Sequence, residues 1–237
     1  MELKQNKNIA ALFDIDGTIF RDSLLTAHFK KLVKYEIISY DKIKHLEPLK
    51  IAWKNREITY DEYMNELIKT YHTSITGLNI NEVEFAAKKT IETESKKLYI
   101  YTKNRIEWHR QQGHKIIFIS GSPDFLVNKI ANELNADLWF GSTYLTKNDI
   151  FTGDILPMWD SISKLNTIER IKQSYNIDLA NSYAYGDTNG DYLMLSKVGN
   201  PYAINPNQEL LNKLKNNNIK ANIIVERKDV IHEFSLN

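Results

Sequence analysis

Apolar residues along the chain fall into two kinds of run, and the change between them divides it. Residues 9–13 (Ile-Ala-Ala-Leu-Phe) form a short unbroken apolar run, the pattern of a strand buried on both faces. From Ser23 onward the apolar positions instead recur at helical spacing. Leu24, Leu25, Phe29, Leu32 and Val33 predict a helix over 23–38, and a second follows over about 39–53. A third begins at Thr59, where Glu62 three residues on completes a capping-box signature, and it continues through Tyr63, Leu67 and Tyr71. A fourth runs from Asn81, with Glu84 three positions later, through Val83, Phe85, Ala86, Ala87 and Ile91. Helix after helix with no strand between cannot sit inside an α/β unit, and predicts a small helical bundle of its own.

The pattern then alternates. A helix over 105–112 is broken by Gly113, and a second buried strand follows over 115–119. A helix over 122–134 leads to short strands over 137–140 and 142–145, and residues 150–152 with Gly153 pair as a hairpin. Helices over 163–175, 189–197 and 208–215 then alternate with strands over 182–185, 201–204 and 221–225. Such alternation predicts an α/β fold, a three-layer Rossmann-like parallel sheet covered on both faces, with the helical bundle inserted after its first strand. The expected domains are an α/β core from residues 1–21 and 96–237 and a helical cap from 22–95. An insertion at the carboxyl edge of a central strand lies over the place where such sheets bind ligands.

Composition narrows the partners. The 237 residues suffice for one large domain, or a core and a small one. With 31 Lys and Arg against 30 Asp and Glu, no general attraction to nucleic acid is expected. The absence of cysteine excludes disulfides and thiolate metal sites and fits a reducing compartment. The N-terminus, MELKQNKNIAALF, lacks the apolar stretch and cleavage site of a secretory signal, and no segment approaches the roughly 20 apolar residues of a membrane helix. A cytoplasmic protein with no membrane partner is expected.

The chemistry gathers where buried strands end. The first runs into Asp14-Ile15-Asp16-Gly17-Thr18. Alone, such a sequence reads equally well as a turn. As a site, it places two carboxylates on one side of a strand end, where their repulsion calls for a cation or a shared proton. The second strand runs into Ser120-Gly121-Ser122-Pro123. A hydroxyl beside backbone N–H groups at a helix start suits a phosphate, while Ser122 with Pro123 also reads as a plain N-cap and first helical residue. The strand over 182–185 runs into Gly186-Asp187-Thr188-Asn189-Gly190-Asp191. If it lies beside the first, Asp187 meets Asp14 and Asp16 around one ion, and oxygen ligands alone favour Mg²⁺. A calcium loop over Asp187, Asn189 and Asp191 lacks its glutamate, because Val198 holds the twelfth position.

In order and position these motifs resemble the haloacid dehalogenase superfamily of phosphohydrolases, and the resemblance covers nearly the whole chain. The helical insert between the first two motifs is similar to the phosphoserine-phosphatase-like branch. The resemblance implies that Asp14 is the nucleophile and forms an aspartyl-phosphate, and that Asp16 is the general acid and then the base. It implies that Ser120, the Gly121 N–H and a lysine hold the phosphoryl oxygens. Lys164, at the start of the helix before the third motif, fits that lysine better than Lys172. Mg²⁺ would be held by Asp14, the backbone carbonyl of Asp16, and Asp187, with Asp191 and Asn189 orienting the site. The implied function is Mg²⁺-dependent hydrolysis of a small phosphorylated metabolite. Phosphoserine itself fits less well: Ser23 stands where the branch has a glutamate for the substrate amine, and Asn65 near where it has an arginine for the carboxylate. Arg21, Asp22 or Arg56 are the possible substitutes. Two other classes share parts of the pattern. A phospho-signalling receiver would lack the inserted helices and the third motif, and a dehalogenase would need neither metal nor Asp16.

Overall fold

The computed structural model describes residues 7–236. Residues 1–6 and Asn237, which the expected core boundaries and the N-terminal reading include, lie outside the described residues. Eight strands form one sheet in the order β4-β3-β2-β1-β5-β6-β7-β8. At its centre β1 (Ala10–Phe13) runs parallel to both β2 (Lys115–Pro123) and β5 (Tyr183–Gly186). Parallel pairing continues outward to β3 (Leu138–Lys147) on one side and to β6 (Asn200–Ile204) and β7 (Asn222–Arg227) on the other. Only the edge strands, β4 (Ile150–Leu156) and β8 (Val230–Ser235), are antiparallel.

The side-chain alternation of β1 builds two layers at once. Ala11 and Phe13 enter one apolar cluster with Ile106 of α5 (Ile100–Gln111) and Leu126, Val127 and Ile130 of α6 (Asp124–Glu133). Ala10 and Leu12 face the other way, onto Ile168 and Ile171 of α7 (Ser161–Ser174), Met194 and Leu195 of α8 (Tyr192–Ser196), and Leu210 of α9 (Gln208–Asn216). Each large side chain buried there contributes about 1.5–3 kcal/mol.

Between β1 and α5 lie α1 (Leu24–Lys34), α2 (Leu46–Lys54), α3 (Tyr60–Ile75) and α4 (Ile80–Glu94). Ser23 caps α1 by accepting the Thr26 N–H, and Thr59 and Glu62 form the expected reciprocal capping box on α3. These helices have an apolar cluster of their own, with Phe29, Leu32, Leu67, Tyr71 and Val83, but they do not close it alone. Tyr144 of β3 and Phe151 of β4 belong to the same cluster. The β3–β4 hairpin turns through Asn148 and Asp149, both at positive φ (50° and 62°), as a two-residue primed turn requires. It reaches the helices through Gly77 N–H to Phe151 C=O (2.9 Å), Phe151 N–H to Leu78 C=O (3.1 Å) and Ile80 N–H to Asp149 C=O (2.8 Å). The Lys129–Glu84 ion pair ties α6 to α4.

Several elements differ from the sequence pattern. The helix expected over 39–53 is a short 3-10 turn (Tyr40–Lys42) followed by α2. Helix α4 starts two residues early, because Asn79 rather than Asn81 is its cap and accepts the Asn81 N–H. Helix α5 starts at Ile100 rather than 105. Its inward face carries Thr102 and His109 beside Ile106, which blurs the apolar period. The strand β2 runs on to Pro123, so the helix expected from 122 begins at Asp124 and Ser122 is not its cap. The helix expected over 189–197 is a 3-10 turn (Asn189–Asp191) and then α8. Strand β8 has no counterpart in the sequence reading.

Candidate active site

Three adjacent strands end on one edge in the order β2, β1, β5, which brings the three motifs together. Asp14 extends the ladder by one residue, its N–H donating to the Tyr185 carbonyl (2.9 Å). The chain then turns tightly, with Gly17 N–H to Phe20 C=O (2.9 Å) and Phe20 N–H to Ile15 C=O (2.8 Å). Gly17 is required there twice over: its φ is +79°, and a Cβ would lie 2.0 Å from Asp187 Oδ2. The close approach of the first and third motifs therefore depends on the missing side chain.

Of the two candidate lysines, Lys164 is the one placed beside the aspartates. It lies in the first turn of α7, buried, with Nζ 2.6 Å from Asp14 Oδ1 and 2.6 Å from Asp191 Oδ1. Lys172 is far more exposed and, among the described residues, pairs only with its helical neighbour Glu169 (3.6 Å). Burial alone would favour a neutral Lys164 amine, but the two carboxylates outweigh it and hold the ammonium well above its usual range. Asp160 caps α7, accepting the N–H groups of Ile162 and Ser163 (2.9 Å each), and so orients the turn that carries the lysine.

The four aspartates have distinct partners. The carboxylate oxygens of Asp14, Asp187 and Asp191 come within 4.8 Å of one another. Burial first, with repulsion from neighbouring carboxylates, pushes Asp14 and Asp187 well above the usual carboxylate range despite the nearby Lys164. Asp187 Oδ1 also accepts the Thr18 hydroxyl (3.1 Å). In Asp191 both oxygens are committed: Oδ1 to Lys164, and Oδ2 to the N–H groups of Asp187 (3.0 Å) and Thr188 (3.1 Å). Asp191 thus braces the loop, while Asp14 and Asp187 keep oxygens for a cation. An all-oxygen donor set between buried, mutually repelling carboxylates fits Mg²⁺ in charge and hardness.

Asp16 is held differently. Its Oδ1 accepts the Leu24 N–H at the start of α1 (2.7 Å), and Oδ2 accepts the Ser122 hydroxyl (2.5 Å). Burial raises its pKa to about 6 while these two hydrogen bonds oppose the rise. Ser122, which the sequence offers only as a helix cap, therefore positions a carboxyl group. Ser120 accepts the Ser122 N–H (3.2 Å), and Gly121 packs so closely that a Cβ would lie 2.9 Å from that of Trp159. Asn189 Oδ1 is buried without a partner among the described residues. Tyr60 is the other contributor absent from the motifs. It lines the 430 Å³ cavity over Asp14, Asp16 and Lys164 and also the adjoining 520 Å³ cavity beside Asp187. Burial, then the carboxylates of Asp187, Asp16 and Asp14, keep its phenol neutral. Only the fold shows that the first turn of α3 reaches the sheet edge.

The chain is similar over 227 residues to the phosphoserine phosphatase of Methanocaldococcus jannaschii, at 28% identity covering 95% of this chain and 96% of that one. It is 26% identical over 204 residues to the inhibition of morphological differentiation protein of Streptomyces azureus, covering 85% and 73%. Among solved structures, a phospho-aspartyl intermediate analogue of phosphoserine phosphatase superposes with a TM-score of 0.64 at 21% identity, covering 94% of this chain and 96% of that one. A Bordetella pertussis Tohama I protein of unknown function gives 0.72 at 16% identity, covering 91% and 98%. At these identities the superpositions speak for the shared fold. The family model of haloacid dehalogenase-like hydrolases matches residues 11–196, from the first motif past the third, and the chain belongs to that family.

Proposed function

We propose that the protein is a Mg²⁺-dependent phosphatase that hydrolyses a small phosphomonoester through a phosphoryl group carried on Asp14. The observation that carries this reading is the division of labour among the carboxylates. Asp14 is paired with Lys164 and faces the cation position, while Asp16 is held apart by Leu24 and Ser122 with its pKa near neutrality. With a cation bound beside Lys164, Asp14 would be held ionised as a nucleophile, and a carboxyl group poised near pH 6 delivers a proton to a leaving alkoxide.

In this reading an Asp14 oxygen attacks phosphorus as the leaving oxygen takes the Asp16 proton. Asp16, now ionised, then removes a proton from the water that cleaves the aspartyl-phosphate. The Ser120 hydroxyl, the Gly121 N–H and the Lys164 ammonium hold the equatorial oxygens. Asp14, Asp187 and the backbone carbonyl of Asp16 would hold Mg²⁺, which supplies charge neutralisation between the carboxylates and the phosphoryl oxygens. Asp191 and Asn189 orient that arrangement. Helices α1–α4 serve as a cap over the reacting group, and residues 22–95 are the proposed cap domain on a core of 1–21 and 96–237. A phosphorylated metabolite as partner and a cytoplasmic setting accord with this chemistry, and no helix among the described residues is long and apolar enough to cross a membrane.

Release of phosphate from p-nitrophenyl phosphate with Mg²⁺ tests the reaction, and Asp14→Asn is expected to lower it at least a thousandfold while the protein stays folded. A beryllium fluoride adduct is expected on Asp14, and one on Asp16 would reverse the roles. L-phosphoserine is the second substrate reading, favoured by similarity to the Methanocaldococcus enzyme. It is decided by assaying that ester alongside others.

A further inference from the structure

The 520 Å³ cavity lies within the range of about 300–1,000 Å³ typical of ligand sites, and offers far more room than the three carbons of serine fill. Its position relative to Asp16 assigns it to the leaving group. In-line displacement sends the leaving oxygen away from Asp14 toward the proton donor Asp16, which is bonded to the first N–H of α1. The next turns of that helix, through Thr26 and Lys30, line the cavity. At 1.5 Å per residue, Lys30 lies roughly 9 Å along the axis from Leu24.

The charge of that wall is one-sided. Arg21, Lys30, Lys50 and Lys54 line it, with Asp22 as the single acid apart from the cation-facing Asp187. None of the four basic side chains makes an ion pair among the described residues, although seven other lysines and one arginine do. Glu47 lines only a small neighbouring cavity with Lys30 and Lys50. The wall is stiffened by aromatic packing, with Trp53 stacked on Tyr63 (5.3 Å, 4°) and Tyr60 tilted against Trp53 (5.3 Å). A further donor stands beside it. Asn205 also lines the cavity, and because its Oδ1 accepts the Glu226 N–H (2.9 Å), its buried Nδ2 is fixed as a donor without a partner among the described residues. The Ser23 hydroxyl accepts the Thr26 N–H as the cap of α1, and the one carboxylate beside it, Asp22, accepts the Ser23 N–H (3.0 Å).

We infer that the substrate is an extended phosphomonoester whose leaving group ends in a second anionic group, a phosphate or a carboxylate, received by Lys30, Lys50 and Lys54. The inference rests on the phosphatase reading and specifies the leaving group. Unpaired cations facing a partly enclosed cavity attract a terminal anion and repel a terminal ammonium, in the manner of charge-complementary sites generally.

Four esters of one length test it: hexane-1,6-diol bisphosphate, 6-phosphooxyhexanoate, hexyl phosphate and 6-aminohexyl phosphate. The kcat/KM for the two anion-ended esters should exceed that for hexyl phosphate about tenfold, with the ammonium-ended ester lowest, and the better of the first two identifies the terminal group. In Lys50→Gln/Lys54→Gln the ratio of anion-ended to neutral ester should fall toward one. In Lys50→Glu/Lys54→Glu the order should invert toward the ammonium, which a misfolded variant cannot produce. Equal kcat/KM for all four esters, or preference for the ammonium in the native protein, would overturn the inference and leave the phosphatase reading standing. Calorimetric binding of the bisphosphate and of hexyl phosphate to Asp14→Asn separates the remaining case. Tighter binding of the bisphosphate there, without turnover by the native protein, would uphold the subsite and overturn the reaction.

Discussion

The carboxyl edge of the sheet and the helical insert above it are built on opposite terms. Asp14 and Asp187 follow directly on β1 and β5, and Ser120 lies in β2 two residues past its last pairing with β1; the register of the three strands is set by parallel ladders buried on both faces. Nothing outside the core is needed to bring them together. The insert has a poorer core of its own and takes Tyr144 and Phe151 from the β3–β4 hairpin to complete it. In the proposed reading, reaction chemistry rests on the buried sheet edge, and substrate selection on a region whose packing is shared with a neighbour. Among the described residues, the one direct hydrogen bond from the insert to Asp14, Asp16, Asp187 or Asp191, Leu24 N–H to Asp16, joins the two where the proposed proton transfer takes place.

Four measurements would sharpen that contrast. Lys164→Met removes the cation between Asp14 and Asp191. It should cost at least a hundredfold in phosphate release and about 3–5 kcal/mol in denaturant unfolding, since breaking a buried pair strands its partners. Lys172→Met should stay within about 0.5 kcal/mol, as exposed substitutions do. A Lys164 variant of native stability would show that the edge does not depend on its charges.

Phe151→Ala tests the other region. It should cost about 3 kcal/mol, the lower end for a buried Phe, and should speed amide exchange in α3 and α4 more than in β1 or β5. Uniform acceleration would mean that insert and sheet unfold as one unit.

Magnesium should act on the edge alone, and in a pH-dependent way. Burial raises the folded Asp14 pKa to about 8, far above the unfolded carboxylate value near 4. The stability this contributes to the metal-free protein is full below pH 4 and is lost as pH rises through about 8. Metal binding needs the ionised form. Mg²⁺ at a hundred times its Kd should stabilise by about 2.7 kcal/mol where Asp14 is ionised, and by less at pH 5. A thermal shift independent of pH would contradict this assignment.

Ser122→Ala addresses the junction. Its hydroxyl favours the charged form of Asp16, so removing it should raise that pKa above 6. The basic limb of kcat/KM should then move upward by about one unit, a shift worth about 1.4 kcal/mol. An unmoved limb would release Asp16 from the role of acid.

The same contrast explains what the sequence disclosed. The sheet edge was legible because strands buried on both faces read as continuous apolar runs that stop abruptly at polar motifs. Asp14, Asp16, Ser120, Asp187 and Asp191 could thus be placed by position alone, and Lys164 by its place before the third motif. Tyr60 and the Ser122–Asp16 bond were illegible because each depends on a tertiary approach, of α3 over the edge and of an extended β2. Strand β8 escaped for a different reason. All six of its residues are exposed, so no alternation of burial marks it.

The primed turn at Asn148 and Asp149 lets a core hairpin fold up against the helices, and this has a consequence for inheritance. Substrate range in such a protein could be exchanged by transplanting the inserted helices as a cartridge. Here a graft of residues 24–94 alone would arrive with its apolar cluster open where Tyr144 and Phe151 had stood. A workable chimera must carry residues 138–156 as well, so two segments distant in sequence have to be inherited together.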